Sequence, residues 1–191
     1  MSDPTTATEH IRLGIVTLGS AVAAGDCREL QGEHSCVVSG LPPGEYTAWG
    51  STIEIDGVAV AGRLVLVVGT ATELDHALLE EGDPEPMNAV WTWGPLGIVD
   101  EMAAADLSDS DRFPFGDPPP VTSSDEVGQV ESRARFALIH HDGLAVGASV
   151  IADYVDTEYE VFAWGDEQGD PFAVGYVFHV SFLPGTSAFR S

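Results

Sequence analysis

The chain has 191 residues, of which 31 are acidic and seven are basic, and its formal net charge at neutral pH is -24. All seven basic residues are arginine, so chemistry through a lysine Schiff base is excluded. The negative field repels phosphate backbones and anionic lipids, which excludes a basic nucleic-acid groove and argues against a membrane-surface role. The same field attracts basic proteins and cationic small molecules, and it also keeps a protein dispersed in solution.

Hydrophobic residues make up 44% of the chain, which is enough for a folded core despite the charge. We predict a single β-rich domain over residues 10–186, preceded by a flexible N-terminus at residues 1–9. That N-terminus has no basic patch followed by an apolar run, and the longest apolar stretch, Val58–Val68, is interrupted by Gly62 and Arg63. We therefore expect a cytoplasmic protein.

The chain contains two cysteines, Cys27 and Cys36. In a reducing compartment we expect both to be free thiols, with a disulfide as the alternative. His34 lies between them, but three ligands at irregular spacing do not make a structural zinc site, which needs four ligands and usually a close cysteine pair. No metal and no cofactor are predicted.

The first predicted strand covers residues 11–18, which are β-branched and apolar. Residues 21–33 are predicted to be a loop or an irregular segment. A short strand is predicted at residues 36–39. A turn follows at residues 42–44, because proline fixes one backbone angle and glycine accepts the reversed one. The next strand, residues 45–49, has alternating faces.

The clearest local pattern is a hairpin centred on Asp56-Gly57. This pair stands between alternating apolar residues over positions 53–60, and both residues of such a turn need a positive φ angle. The second arm continues to Val68, which is long enough for a central strand.

A short helix is predicted at residues 72–81, because Leu74, Ala77 and Leu78 share one face. The run Gly82 to Pro86 is predicted to end it.

The remaining predicted elements are another strand, a second helix, a long loop and two further hairpins. The loop contains the run Phe113 to Pro120, whose prolines remove backbone donors and prevent regular structure. These elements cover residues 89–93 (strand), 100–107 (helix), 108–126 (Pro/Asp-rich loop), 133–140 with 144–151 (second hairpin), and 158–164 with 172–182 (third hairpin, across an acidic turn at 166–170).

Three hairpins and two short helices predict a mostly β fold of the α+β type. We expect an antiparallel, two-layer β-sandwich-like domain. Eight aromatic residues are predicted to fill its core: Tyr46, Trp49, Trp91, Trp93, Phe162, Trp164, Tyr176 and Phe178.

Several segments resemble a family of bacterial proteins that carry domain of unknown function 4241. The similar segments are residues 13–20, 42–46, 97–101 with Asp106, 158–169 and 174–182. One departure is Val155-Asp156-Thr157, where the family often has Gly-Asp-Gly. The resemblance implies an immunity-type role, because some members look like immunity proteins, which neutralise toxins by binding them. It carries over no catalytic chemistry.

Two groups of carboxylates are the predicted contacts for a basic partner. Asp106, Asp109, Asp111 and Asp117 follow one another closely, but Arg112 and Phe113 break the pattern of a calcium-binding loop. Glu158 and Glu160 share one strand face, which we interpret as the outer face of an edge strand. Arginine or lysine side chains of a partner would meet either group.

The leading hypothesis is an acidic protein-binding module of the immunity or inhibitor type. The alternative is an enzyme that acts on a small molecule in a pocket between the sheets, without a recognisable nucleophile motif. Its acid–base groups would come from histidines, one carboxylate and one tyrosine. These candidates are His140, His141, His179, Asp100 and Tyr46. A homodimer is a further open alternative.

Overall fold

A computed structural model of the protein describes residues 8–55, 58–71, 83–92, 94–112, 114, 135–151 and 157–178. Within this part of the chain the fold is mostly β, and every strand pair is antiparallel. The strands are β1 (Thr8–Leu18), β2 (Ala21–Asp26), β3 (Cys36–Ser39), β4 (Gly44–Ile55), β5 (Val58–Val68), β6 (Asp83–Thr92), β7 (Leu96–Asp100), β8 (Arg135–His141), β9 (Leu144–Ile151), β10 (Thr157–Gly165) and β11 (Pro171–Val177). Two short helices follow β7: α1 (Glu101–Asp106) and α2 (Asp109–Arg112).

The strands form two packed sheets, so the predicted sandwich-like fold is confirmed. The six-stranded sheet has the order β1-β4-β5-β11-β10-β6, and the five-stranded sheet has the order β3-β2-β7-β9-β8. β1 lies along β8 and β9, and β6 lies along β2 and β3, so the two sheets approach each other at both sides. Among the described strands the chain changes sheet four times: between β1 and β2, between β3 and β4, between β6 and β7, and between β9 and β10.

All three predicted hairpins are confirmed by strand pairing. β4 pairs with β5, β8 with β9, and β10 with β11. In the second hairpin Asp142 and Gly143 have φ angles of 51° and 80°, as a two-residue turn of this kind requires. β5 lies between β4 and β11, which confirms it as a central strand. The Asp56-Gly57 turn and the predicted helix at 72–81 lie outside the described residues.

β2 corrects the prediction that residues 21–33 are irregular. Its sequence, Ala-Val-Ala-Ala-Gly-Asp, is poor in the side chains that favour strands. All but its first residue are buried, because β2 lies between β3 and β7 and is covered on both faces. Small residues suit such a position, where packing decides the structure rather than intrinsic preference. Residues 109–112, likewise, form a helical turn within the predicted loop at 108–126.

β6 corrects the predicted start of the strand at residues 89–93, because the strand begins at Asp83. Pro84 and Pro86 were expected to follow a helix, but they lie inside the strand and are aligned with Trp164 and Phe162 of β10. Proline cannot donate to a sheet and is tolerated on edge strands, and β6 is the edge of its sheet. β10 is therefore the second strand from the edge, which corrects the interpretation of Glu158 and Glu160 as residues of an edge strand.

Three apolar layers hold the sandwich together. The central layer lies between the sheets and includes Tyr46, Leu64, Ile98 and Val161. A second layer, with Cys27, Leu30, Ala104 and Leu107, covers the outer face of the five-stranded sheet. The third lies on the outer face of the six-stranded sheet and includes Trp49, Val65, Phe162 and Trp164. Tyr176 of β11 connects the two sheets, because its hydroxyl donates to the Gly97 carbonyl at 3.0 Å.

The predicted aromatic core is largely confirmed. Tyr46, Trp49, Phe162, Trp164 and Tyr176 are buried. Phe178 is half-buried against Tyr159 and Tyr176. The prediction is wrong for Trp91, which lies on edge strand β6 and is 36% exposed. Trp93 is outside the described residues.

Candidate functional site

The structure places two of the predicted acid–base candidates in structural roles. Asp100 caps α1, because its Oδ1 accepts hydrogen bonds from the Met102 and Ala103 amides, each at 3.1 Å. Its Oδ2 accepts from the Gly19 amide at 2.6 Å. Tyr46 is buried in the central layer, where its hydroxyl donates to the Pro42 carbonyl at 2.7 Å. Burial raises the pKa of the Tyr46 phenol to about 12.

The two described histidine candidates lie on one strand, β8. His140 and His141 end β8, where His140 is exposed and His141 is partly covered. The Nε2 atom of His141 lies 3.8 Å from Oδ2 of Asp142, the exposed residue at the adjacent turn. His179 is outside the described residues. None of the four described candidates is among the residues that line the two cavities described below.

The predicted partner-binding carboxylates fall on opposite outer faces of the sandwich. Asp106 and Asp109 are exposed on the two helices that cover the five-stranded sheet. Asp111 accepts a hydrogen bond from Ser108 Oγ at 2.6 Å. Glu158 and Glu160 are exposed on the outer face of the six-stranded sheet, in line with Phe162 and Trp164. Asp117 is outside the described residues.

Both cysteines are buried free thiols. Burial raises the pKa of the Cys36 thiol to about 11. It also raises the pKa of the Cys27 thiol, with a smaller contribution from the Asp26 carboxylate, which disfavours a second negative charge. Within the part of the chain that the structure describes, no three His, Cys, Asp or Glu side chains are grouped closely enough to hold a metal ion.

A groove of about 920 Å³ opens along the side of the sandwich where β3 approaches β6. We call it the seam groove. β3 has only four residues, whereas β6, β10 and β11 are longer, so the five-stranded sheet leaves part of the six-stranded sheet uncovered here. The groove is lined by Val38, Ser39, Gly40, Glu85, Met87, Ala163, Gly165, Asp166, Glu167, Gln168, Gly169, Pro171 and Phe172.

The floor of the seam groove is apolar. Val38 and Ala163 belong to the central layer between the sheets and are 0% and 8% exposed. Phe172 is equally well covered, whereas Met87 is 44% exposed. Met87 is the extra residue of a bulge in β6, because Val161 and Phe162 are aligned with Asn88 and Pro86. A flexible thioether at such a position adapts to the shape of a bound group.

The rim of the seam groove is acidic. Glu85 pairs with Ala163 across β6 and β10 and therefore starts on the groove side of the sheet. Asp166 and Glu167 stand in the turn between β10 and β11, and all three carboxylates are exposed. Among the described residues that line the groove there is no lysine, arginine or histidine. The groove thus offers negative charge around an apolar floor, which suits a cation on an aliphatic stem.

The turn that carries two of these carboxylates is held by its own hydrogen bonds. Oδ1 of Asp166 accepts from the amides of Gln168 and Asp170 at 2.9 Å and 3.0 Å. The Asp166 amide donates to the Asp170 carbonyl, and the Gly169 amide donates to the Asp166 carbonyl, both at 2.9 Å. Gly169 has a φ angle of 83°, which favours glycine. The backbone of this turn and the Asp166 carboxylate are therefore positioned before any partner binds.

The sequence predicted the acidic turn at 166–170, but no sequence pattern indicated that this turn would line the same groove as Glu85 and Met87. The useful signal was Pro84 and Pro86, because proline within a sheet is confined mainly to edge strands. An edge strand borders the open side of a sandwich, where grooves form.

A second cavity, of about 520 Å³, lies beside the loop after β2 and α2. Its lining mixes both signs of charge: Arg28, Glu29, Gln31, Gly32, Glu33, His34 and Arg112. Both arginines of this cavity already make hydrogen bonds within the protein. The Arg28 guanidinium binds the buried Asp26 carboxylate through Nε at 3.1 Å and Nη2 at 3.2 Å. Arg112 donates to the carbonyls of Leu107 and Arg28.

Comparisons with known proteins do not assign the chain. No protein-family model matches it, and no similar protein was found among curated proteins or solved structures. The resemblance to the domain-of-unknown-function 4241 family therefore stays a prediction. Neither of the described helices is long and apolar enough to cross a membrane.

Proposed function

We propose that this protein is an acidic binding module of the immunity or inhibitor type, and that it sequesters a basic protein partner in the seam groove. The observation that carries this proposal is the rim of Glu85, Asp166 and Glu167 around an apolar floor, with no basic residue in that part of the lining which the structure describes. An arginine or lysine of the partner lays its aliphatic stem against Met87, the exposed apolar residue of the lining, and brings its charge to the rim.

The net charge of -24 supports the same proposal at long range. A strongly negative protein raises the rate at which a basic partner arrives, and salt screens this effect over about 10 Å at 0.1 M ionic strength. The lifetime of the complex depends instead on contacts that exclude water. A concave groove provides such contacts, whereas the exposed carboxylates on the outer faces provide attraction.

The test uses an eight-residue peptide of alternating arginine and threonine with capped ends, carrying a fluorescent label. Binding is measured by fluorescence anisotropy from 20 mM to 500 mM salt. The groove variant is the double substitution Glu85→Gln and Glu167→Gln. The matched control is Glu158→Gln and Glu160→Gln, which removes the same charge from an exposed outer face.

Exposed ion pairs each contribute about 0.2–1 kcal/mol, so loss of two pairs weakens binding about 2- to 30-fold. We expect the groove variant to bind the peptide more weakly than wild type by a factor in this range, and the control to lose clearly less affinity than the groove variant. We also expect the association rate to fall with salt. Equal effects of the two double substitutions, or an association rate that ignores salt, would contradict the proposal.

A further inference from the structure

β3 is a sheet edge that borders the seam groove. It ends the five-stranded sheet, and within the described part of the chain only β2 pairs with it. Its sequence is Cys-Val-Val-Ser, which contains no proline and no charged residue. Val37 is 52% exposed, although it is a residue that favours strands. Natural edges are usually protected by proline, charge or a covering element, and β3 has neither proline nor charge.

The other three sheet edges differ from β3. β6, across the groove, contains Pro84 and Pro86, which cannot donate to an added strand. On the far side of the sandwich, β1 packs against β8. A Cβ atom at Gly14 of β1 would lie only 2.8 Å from Leu138 Cδ1 of β8, so the two sheets are in close contact on that side.

We infer that the basic partner binds as an extended segment that adds to β3 as a new strand within the seam groove. The inference rests on the proposed function and specifies its geometry. Four residues of added strand span about 13 Å and lie about 4.8 Å from β3, in the space bordered by β6 and the β10–β11 turn. Backbone hydrogen bonds to β3 supply sequence-independent affinity, as in other complexes formed by strand addition.

Alternation along the added strand determines which partner sequences fit. Side chains of a strand point alternately to its two faces. On β3, Val38 points into the sandwich and Val37 points outward. Alternate residues of the partner therefore point toward the rim at Glu85 and Glu167, where arginine or lysine is favoured. The residues between them stand beside Val37, where β-branched side chains pack well. A partner segment of alternating basic and β-branched residues is the expected ligand.

The experiment compares the same labelled arginine–threonine peptide with two N-methylated forms. One form is methylated on every arginine amide and the other on every threonine amide. In a strand, alternate residues direct their amides to opposite edges, so each form blocks one edge only. We expect one form to lose at least tenfold in affinity and the other to stay within about threefold. We also expect hydrogen exchange at the β3 amides that point away from β2 to slow at least tenfold in the complex.

The outcomes separate the two proposals. If the unmodified peptide binds through Glu85 and Glu167 but the two methylated forms behave alike, or β3 exchange does not change, strand addition is overturned and the binding function stands. If the unmodified peptide does not bind at 20 mM salt, or binds equally well to the groove variant, both proposals are overturned.

Discussion

Replacing Asp100 with alanine removes a carboxylate that joins three parts of the fold. Its Oδ1 accepts from two amides in the first turn of α1, and its Oδ2 accepts from the Gly19 amide at the crossing from β1 to β2. Loss of a helix cap costs about 1 kcal/mol, and a partly buried amide left without a partner costs about 1–3 kcal/mol. We expect Asp100→Ala to lower the free energy of unfolding by about 2–4 kcal/mol.

The assay is urea unfolding followed by circular dichroism, with the slope of the transition compared between variants. Asp100→Asn keeps one acceptor for the helix but presents an amide group to Gly19, so we expect a loss of about 1–3 kcal/mol, smaller than that of Asp100→Ala. Asp106→Asn, at the exposed last residue of the same helix, is the matched control and should stay within about 0.5 kcal/mol of wild type. An Asp100→Ala variant as stable as the Asp106 control would refute this account of Asp100.

Three further predictions concern packing, the contact between the sheets and the thiols. Tyr176→Phe removes the hydrogen bond from the buried hydroxyl to the Gly97 carbonyl, so we expect a loss of about 0.5–1.5 kcal/mol by urea unfolding, and no loss would contradict the role of this bond. Gly147→Ala places a Cβ 2.3 Å from the Ile98 carbonyl oxygen, and since backbone cannot move aside cheaply we expect at least about 2 kcal/mol of destabilisation by the same measurement. Because the pKa of Cys36 rises from 9.0 to about 11, its thiolate at pH 8 should be roughly a hundredfold scarcer in the native than in the unfolded protein, which a thiol reagent measures as slow labelling that urea accelerates. The native state favours the protonated thiol, so its contribution to stability is complete below pH 9 and is lost as the pH rises toward 11.

The candidate site could be recognised only from the tertiary structure, whereas most of the strands could be predicted from the sequence. Hairpin turns at Asp142-Gly143 and at residues 166–170 are local, because neighbouring residues decide their backbone angles. The seam groove joins β3, β6 and the β10–β11 turn, which are separated by more than 40 residues at each step along the chain. No local pattern records which sheet edge will border which turn. For the same reason, Asp100 resembled a catalytic carboxylate until its three amide partners were visible.

The amino-acid sequence by itself determined the negative charge, the absence of lysine, the alternating strands and their hairpins, since each follows from composition or from adjacent residues. Tertiary packing decided the rest. It made a strand of the alanine-rich segment at Ala21–Asp26 by covering both its faces, and it accepted Pro84 and Pro86 in a strand by leaving that strand at an edge. It also placed β3, a strand of only four residues, opposite the longer strands of the other sheet. The part of that sheet which β3 leaves uncovered borders the acidic seam groove.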